Sequence, residues 1–336
     1  MSYRIQIAET QQVFFVERGE TLLQATQRAS IALPHDCQLG GCGTCRIRLL
    51  DGQVRYDEEP FGLAPDEAAA GYALACQAQP LADLVISTAR EDQACAEPAR
   101  HRAVVQAVRP LSADVMHVEL EVPDAGTLDY RPGQYLKLLS ADGLARSFSM
   151  ASVPRDGRVD LHVRRIPGGA FTDGILPRMK AGDAIDVELP LGNFFYRARD
   201  YRPLLMVATG TGLAPIKAIL ESLMDDPDCP PVSLYWGMRQ AQDLYLHDDI
   251  AGWGERLYDF RYVPVLSRAG ADWQGRRGHV HDAALADMGG AGDLGEHAIY
   301  LCGSPDMIRD ARAAFLVRGA SPDHIYADSF TFQHLC

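Results

Sequence analysis

The sequence predicts a multidomain fold of the α+β and α/β classes: a small mixed domain, then an antiparallel β-barrel, then a doubly wound parallel sheet. Three observations support this order. A glycine-rich loop with three cysteines lies between strand patterns near the N-terminus, six short alternating segments follow it, and buried strand patterns then alternate with amphipathic helices. A chain of 336 residues has room for such domains. We place them at 1–92, 102–200 and 201–336, with a polar linker at 93–101.

The composition is typical of a soluble globular protein, since 47% of the residues are hydrophobic and 23% are charged. No run of 18 apolar residues occurs, so no membrane partner is expected. The first ten residues lack the charged-then-apolar pattern of a secretory signal, and we therefore expect a cytoplasmic protein. The net charge of −13 disfavours nucleic acid and suits a partner with a basic docking face, although it also aids solubility alone.

Four of the eight cysteines fall in the first quarter of the chain. In a cytoplasmic protein this concentration favours metal binding or redox chemistry over a disulfide framework. The spacing is C-x4-C-x2-C with a fourth cysteine after 30 further residues, which is the ligand spacing of plant-type [2Fe–2S] clusters. The predicted ligands are Cys37, Cys42, Cys45 and Cys76.

The glycines of the same loop fit this prediction. Gly40, Gly41 and Gly43 have no Cβ, so the chain can bend tightly with its N–H groups turned inward. A zinc site of four cysteines is the alternative, but zinc usually takes its ligands as two short pairs. Because three ligands here share one loop, we favour the iron–sulfur cluster.

Strand patterns and one short helix surround the loop. "YRIQIA" and "QQVFFVERG" predict a hairpin, "ETLLQATQRAS" the helix, and "CRIRLLDGQV" and "LADLVISTA" further strands. Together with the cysteines, they resemble the plant-type ferredoxin module of the β-grasp fold over residues 1–92. Arg46 differs from that family, since many plant-type ferredoxins carry a smaller residue there.

The second domain is predicted as a small antiparallel barrel from six strand patterns separated by glycine and proline turns: "AVVQAVRP", "DVMHVELEVP", "GQYLKLLS", "RSFSMAS", "VDLHVRR" and "AIDVELP". Two stretches in it carry chemistry. Arg146 can bind phosphate with two hydrogen bonds. The glycines of "PGGAFT", 167–172, precede a predicted short helix, where backbone amides can approach a pyrophosphate.

"RPGQYLKL", "RSFSMAS" and "LHVRRIPGGAFT" resemble the flavin domain of the ferredoxin–NADP reductase superfamily. The resemblance implies FAD, with an aromatic ring from Phe148, in place of the commoner tyrosine, packed on the flavin. It also implies a hydrogen bond from the Ser149 hydroxyl to flavin N5, which makes Ser149 a catalytic candidate. The FAD contacts that it implies are Arg146, Ser147, Phe148, Ser149, His162, Val163, Arg164, Gly168, Gly169 and Thr172.

The third domain begins with a buried strand, a glycine turn and an amphipathic helix in "RPLLMVATGTGLAPIKAILESLM". The turn Gly210-Thr211-Gly212 contains the first two glycines of a dinucleotide-binding fingerprint, and Pro215 occupies the position of the third. A plain strand–helix corner is the alternative. Two further buried strands, "PVSLYWGMR" and "AIYLCGSPDMI", indicate a parallel sheet that binds its ligand at the carboxyl ends of the strands.

The same superfamily resemblance assigns "ATGTGLAP" to the phosphates of a nicotinamide nucleotide, and Cys302 and Gly303 to a loop beside the nicotinamide. A buried structural thiol is the alternative for Cys302. Asp243 lies where similar NADH-using reductases carry a carboxylate that bonds the ribose and repels a 2′-phosphate, whereas Arg239 complicates this choice. We therefore predict NADH, with NADPH as the alternative. Phe330, in the aromatic tail, is a candidate flavin shield or an ordinary core residue.

The order of the three domains resembles the reductase components of bacterial multicomponent oxygenases of the benzoate and terephthalate dioxygenase type. The resemblance implies an electron path from NADH through FAD to the [2Fe–2S] cluster, and then to a terminal oxygenase or an intermediate ferredoxin. A reductase partner of a CDP-deoxysugar dehydrase has the same cofactors and is the first alternative. A zinc-stabilised binding module without redox function is the second.

Overall fold

The computed structural model describes residues 2–33, 35, 38, 40, 43, 45–60, 62–63, 65–88, 98–123, 128–288 and 294–330. Its contacts divide the chain into two compact units. The first unit combines Met1–Ala94 with Ser304–Ala313 and Tyr326–Cys336, and the second combines Cys95–Gly303 with Ala314–Ile325. None of the helices within the described ranges has the length and hydropathy needed to cross a membrane.

In the described part of the first unit, five strands form a mixed sheet in the order β2-β1-β7-β3-β5. Strands β1 and β7 are parallel, and the other neighbours are antiparallel. The β1–β2 hairpin and the helix α1 confirm the sequence prediction. The elements are β1 (Ser2–Ile7), β2 (Val13–Glu17), α1 (Leu22–Arg28), β3 (Arg46–Asp51), α2 (Pro65–Ala69), β5 (Tyr72–Leu74) and β7 (Leu84–Ser87), with a ribbon of β4 (Val54–Arg55) and β6 (Gln79–Pro80).

Helix α1 begins where its sequence provides a cap. Thr21 accepts a hydrogen bond from Gln24 N, and the Gln24 side chain accepts one from Thr21 N. Leu22 and Leu23 then turn into the core of the sheet, together with Ala25. The apolar residues that predict the helix are therefore the residues that bury it.

The second sheet has six strands in the order β11-β10-β13-β8-β9-β12, all antiparallel to their neighbours. A bridge between Met150 and Leu161 joins the two ends, so the sheet closes into the predicted barrel. Strand β8 takes in the last three residues of the segment predicted as linker. The strands are β8 (Ala99–Pro110), β9 (Val115–Glu121), β10 (Tyr135–Leu139), β11 (Ala145–Ser149), β12 (Arg158–Arg164) and β13 (Ala184–Leu191).

The third sheet has the order β17-β16-β15-β14-β18-β19, and β14 to β18 pair in parallel. Because β15 and β18 lie on opposite sides of β14, the order of the chain reverses there, and such a switch point is where doubly wound sheets bind ligands. The elements are β14 (Leu204–Thr209), α3 (Leu213–Leu223), β15 (Val232–Met238), α4 (His247–Ala251), β16 (Phe260–Leu266), β17 (Arg276–Arg277), α5 (Val280–Asp287), β18 (Ala298–Gly303), α6 (Pro305–Val317) and β19 (Ile325–Ser329).

A buried carboxylate ties three of these strands together. Asp287, at the end of α5, has a side chain that is 2% exposed. Its Oδ2 accepts from Arg261 Nη2 on β16 at 2.6 Å and from the Tyr235 hydroxyl on β15 at 3.1 Å, and its Oδ1 pairs with Arg276 on β17. One side chain therefore holds the edge of the sheet in place.

We expect the Asp287→Asn substitution to lower the free energy of unfolding by about 2 kcal/mol, because it removes the buried, hydrogen-bonded anion of two arginines that are themselves half exposed. Denaturant unfolding followed by tryptophan fluorescence measures the change. The matched control is Asp225→Asn, which breaks an exposed pair with Arg256 and should cost less than about 1 kcal/mol. Equal losses in the two variants would contradict the role assigned to Asp287.

Candidate cofactor sites

The two predicted cluster ligands within the described residues lie at the same end of the first sheet. Cys45 comes directly before β3, and Cys76 follows β5 by two residues. The two strands are antiparallel neighbours, and Ala75 N donates to Cys45 O at 3.0 Å. Cys45 is 3% exposed and Cys76 is 6% exposed. Cys37 and Cys42 lie outside the described residues, and the ligand roles of all four cysteines stay predictions.

The loop around these thiols has the backbone that a cluster requires. Gly40 and Gly43 have φ of 71° and 73°, in the left-handed region that favours glycine. A Cβ on Gly40 would lie 3.0 Å from Pro60 Cβ, so a side chain does not fit there. Two buried thiols at the rim of a glycine cradle are a donor set that fits a thiolate-held iron–sulfur cluster.

The pKa of Tyr56 reflects its burial and the negative charge around the two described thiols. The Tyr56 hydroxyl accepts a hydrogen bond from Leu74 N at 3.1 Å. Burial is the main reason that the pKa of Tyr56 is raised to about 12. Negative charge on Cys45, Glu59 and Cys76 contributes to the rise, and the hydrogen bond from Leu74 N opposes it. Both described thiols therefore act on the same small region of the first unit.

The residues predicted to bind FAD line two contacting strands of the barrel. Ser149 ends β11 and is buried, whereas Ser147 is exposed. Phe148 is half-buried and packs against Phe171, with ring centroids 5.7 Å apart. Arg146 is half-buried, and its Nη1 donates to Ala145 O at 2.7 Å.

Strand β12 carries the next three predicted contacts. Val163 and His162 are buried, and Arg164 is half-buried. Asp114 orients Arg164, because its Oδ2 accepts from Arg164 Nε at 2.9 Å. The Arg164 guanidinium lies beside the predicted dinucleotide turn, since a Cβ on Gly210 would be 3.9 Å from its Nη1. The structure thus brings a predicted flavin residue and a predicted nucleotide residue together within the second unit.

The glycine pair after β12 leads into a π-helical turn at Ala170–Ile175. Gly168 has a φ of 75°, and its N–H donates to Asp173 Oδ2 at 2.8 Å. This bond and the Arg165 guanidinium hold the pKa of Asp173 below its usual range. Thr172 Oγ1 accepts from the backbone N of residue 166, and a Cβ on Gly169 would come within 2.8 Å of that hydroxyl oxygen. The turn is therefore tightly closed by its own side chains.

The dinucleotide turn follows β14 as predicted. Gly210–Gly212 form one 3-10 turn before α3, and Gly210 has a φ of 57°. A Cβ on Gly212 would collide with the carbonyl oxygen of Cys302. A Cβ on Gly303, whose φ is 147°, would collide with Thr209 Oγ1. The two loops at the ends of β14 and β18 therefore pack backbone against backbone, and they fit a ligand that approaches the main chain closely.

The remaining predicted residues are placed as follows. Thr211 is buried in the turn, and Cys302 is 0% exposed, as the structural alternative for this thiol requires. Arg239 is exposed just after β15. Asp243 is half-buried, and its Oδ2 accepts from the backbone N of residue 240 at 3.0 Å. Phe330 directly follows β19 and is half-buried. The roles of these residues toward nicotinamide, ribose and flavin stay predictions.

A chain of aromatic contacts that the sequence prediction missed links the two sites of the second unit. The Tyr245 hydroxyl lies 3.3 Å from His162 Nδ1, and the Tyr245 ring packs edge-on against Trp236 with centroids 5.1 Å apart. Trp236 Nε1 in turn donates to Gly210 O at 3.0 Å. Trp236 on the buried strand β15 and Tyr245 after it were the available sequence signal for this contact chain. The contact between Tyr245 and His162 could not be predicted from sequence spacing.

His162 stays neutral at ordinary pH. Burial lowers its pKa to about 3, with contributions from the positive charges of Lys217 and His117, and Asp160 opposes the shift only weakly. In the unfolded chain the same group titrates near 6.5. The unfolded state therefore binds a proton that the folded state does not bind between these pH values. Stability from His162 is fully present above pH 6.5 and is lost as the pH falls towards 3.

We expect the wild type to lose about 2 kcal/mol more unfolding free energy than the His162→Gln variant between pH 7 and pH 5. Denaturant titrations at both pH values measure this difference. The control is His279→Gln, at an exposed position, which should keep the slope of the wild type. Parallel pH profiles for wild type and His162→Gln would contradict the assignment.

Comparison with known proteins is consistent with this geometry. Three family models match consecutive parts of the chain: the 2Fe-2S iron-sulfur cluster binding domain at 5–81, the oxidoreductase FAD-binding domain at 102–196 and the oxidoreductase NAD-binding domain at 206–313. The reductase component of phenol 2-monooxygenase from Pseudomonas sp. (strain CF600) is 37% identical over 95% of this chain and 91% of that protein.

Two further proteins match along nearly the whole chain. The CDP-6-deoxy-L-threo-D-glycero-4-hexulose-3-dehydrase reductase of Yersinia pestis is 30% identical over 98% of this chain and 99% of that protein. The crystal structure of a cytochrome P450 reductase from Amycolatopsis covers 98% of each chain, with a TM-score of 0.72 and 33% identity.

These matches confirm the predicted cofactors and the three predicted domain types, and they do not fit a zinc-stabilised binding module. The three kinds of site described above occur in the order in which the family models match. The chain therefore belongs to the ferredoxin-containing reductases of the ferredoxin–NAD(P) reductase superfamily, and it is an oxidoreductase with a [2Fe–2S] cluster, FAD and a nicotinamide adenine dinucleotide as cofactors.

Proposed function

We propose that the chain is the reductase component of a multicomponent oxygenase that acts on an aromatic substrate. The observation that carries this proposal is the similarity to the reductase component of a phenol 2-monooxygenase over 95% of the chain, with all three cofactor domains included. When bound, FAD accepts a hydride from NADH, and the [2Fe–2S] cluster passes single electrons onward.

The residues of the second unit bind and orient the flavin and the dinucleotide. We assign Ser149, at the buried end of β11, to flavin N5, and Phe148 to the flavin ring. Arg164, held by Asp114, provides positive charge next to the turn at Gly210, and we assign this charge to the phosphates of the dinucleotide. Trp236 fixes the carbonyl of the same turn.

We assign the preference for NADH to Asp243, which lies just beyond the carboxyl end of β15. The Asp243→Ser substitution should reduce the ratio of kcat/KM for NADH to that for NADPH by about tenfold, because it removes a negative charge that repels the 2′-phosphate. Serine can still cap the local turn, so the backbone should be retained. The control is Asp248→Ser, at an exposed position on α4, and an unchanged ratio in Asp243→Ser would reject the assignment.

The partner is proposed to be a terminal oxygenase or an intermediate ferredoxin with a basic docking face, because this chain has a net charge of −13. We place the reaction in the cytoplasm, where cluster thiols stay reduced. NADH oxidation by the purified holoprotein, with candidate oxygenase components and aromatic substrates added in turn, tests the proposal. Stimulation that requires both an oxygenase component and an aromatic substrate supports it.

A second candidate is the reductase of a CDP-deoxysugar dehydrase, which the 30% identity over 98% of the chain favours. The same assay separates the two functions. Stimulation by a dehydrase with its CDP-sugar, and none by any oxygenase component, would replace the first proposal by the second.

A further inference from the structure

A buried charge cluster lies in the first unit. Glu67, on α2, has a side chain with 0% exposure. Arg46 Nη1 donates to Glu67 Oε1 at 2.7 Å, and Arg312 Nη2, from α6, donates to the same oxygen. Both arginine side chains are buried as well. We call these three residues the Arg46–Glu67–Arg312 triad, and all of them belong to the first compact unit.

Both arginines touch the loop that carries the cluster ligands. Arg46 directly follows Cys45, and its backbone N donates to Gly43 O at 3.1 Å. Its guanidinium lies 4.7 Å from the centre of the Tyr72 ring, which fixes its direction. Arg312 reaches the loop from the other end of the sequence, since a Cβ on Gly43 would lie 2.9 Å from Arg312 Nη1. Gly43 stands between the second and third cysteines of the ligand pattern.

The triad places three buried charged groups beside the loop, two guanidinium groups and one carboxylate. A cluster of ferric ions, sulfides and four thiolates is an anion, and an added electron makes it more negative. Each guanidinium group therefore interacts more favourably with the reduced cluster than with the oxidised one, whereas the carboxylate favours the oxidised cluster.

We propose that the Arg46–Glu67–Arg312 triad sets the reduction potential of the [2Fe–2S] cluster. The arginines raise the potential by stabilising the reduced cluster, and Glu67 limits this effect while it holds both guanidinium groups at the loop. Glu67 is a positioning residue, because it acts through the arginines. The inference depends on the cluster and not on the identity of the electron acceptor, so it is tested on the isolated holoprotein and stands apart from the proposed function.

The test is an anaerobic redox titration of the full-length holoprotein, with the EPR signal of the reduced cluster as the readout. Glu67→Gln removes the negative charge and should raise the potential, whereas Arg312→Gln removes a positive charge and should lower it. For one buried charge, each shift should be about tenfold in the equilibrium constant for reduction, which is about 59 mV for a one-electron couple. A merely structural role would not produce shifts of opposite sign.

Two controls complete the series. Arg309→Gln removes a charge from an exposed position on the same helix, where Arg309 pairs with Asp306 and Asp310, and it should leave the potential unchanged. Arg312→Lys keeps the charge and should stay within twofold of the wild-type equilibrium constant, even where its thermal stability is lower. Iron and sulfide are counted for every variant.

Shifts of the same sign in Glu67→Gln and Arg312→Gln, or unchanged potentials in both, would overturn the proposal. If Arg312→Gln does not fold, Glu67→Gln and Arg312→Lys still decide. A raised potential in Glu67→Gln together with an unchanged potential in Arg312→Lys supports the proposed role of the triad, and any other combination contradicts it.

Discussion

Replacement of Cys76 by serine is expected to abolish electron delivery to one-electron acceptors while flavin reduction by NADH continues. Cys76 is the predicted ligand from outside the glycine loop, and its thiol is buried at the end of the first sheet. Serine provides a hard oxygen in place of the soft thiolate that holds iron–sulfur clusters. The loss of a partner that only supports a metal ligand already costs about 10–100-fold in affinity, so loss of a ligand should exceed about 100-fold.

Separate measurements test the predicted loss of the cluster and the predicted continuation of flavin reduction. Iron and sulfide content together with the rate of cytochrome c reduction report on the cluster, and anaerobic bleaching of the flavin by NADH reports on the second unit. Cys229→Ser is the control, since Cys229 is also buried but lies in the second unit, where its thiol contacts Pro230 O. Full iron and sulfide in Cys76→Ser would show that the fourth ligand has been misassigned.

The Gly212→Ala substitution is expected to slow flavin reduction by NADH about 100-fold, because small displacements of reacting groups cost rates of this order. The new Cβ would run into the carbonyl oxygen of Cys302, so the two loops at the ends of β14 and β18 must separate. These loops form the switch point of the sheet, where the dinucleotide is predicted to bind.

Stopped-flow reduction of the flavin at several NADH concentrations measures this effect, with FAD content as the check on folding. The matched control is Gly252→Ala, because a Cβ on Gly252 meets no atom within 4 Å, and its rate should equal that of the wild type. If Gly212→Ala reduced its flavin as fast as Gly252→Ala does, close packing of the two loops would not matter for hydride transfer.

The parts of the fold that were predictable have local sequence signals. The buried runs that became β14, β15 and β18 are continuous and apolar, as strands covered on both faces must be. The barrel strands alternate between inward and outward residues, and their turns contain glycine or proline. The four-cysteine pattern predicted the cluster because ligand spacing is itself a local property of the chain.

The parts that were missed depend on contacts between distant residues or on segments too short to have a period. The β4–β6 ribbon pairs two residues with two residues, Val54–Arg55 with Gln79–Pro80. Helix α2 has five residues, fewer than a periodic pattern needs. The pairing of Tyr245 with His162 spans 83 positions, and no spacing rule connects charged or aromatic residues over such a distance.

Arg312 donates a hydrogen bond to Glu67, which lies 245 positions earlier in the chain. This contact limits how freely the N-terminal module can be exchanged between proteins. A fragment that stops at residue 94 lacks Arg312, which donates to its buried carboxylate together with Arg46. Transplanting the first 94 residues onto a foreign reductase would therefore demand a matching arginine from the recipient. Recombination between such enzymes should succeed more often when the segment 304–313 travels with the donor module.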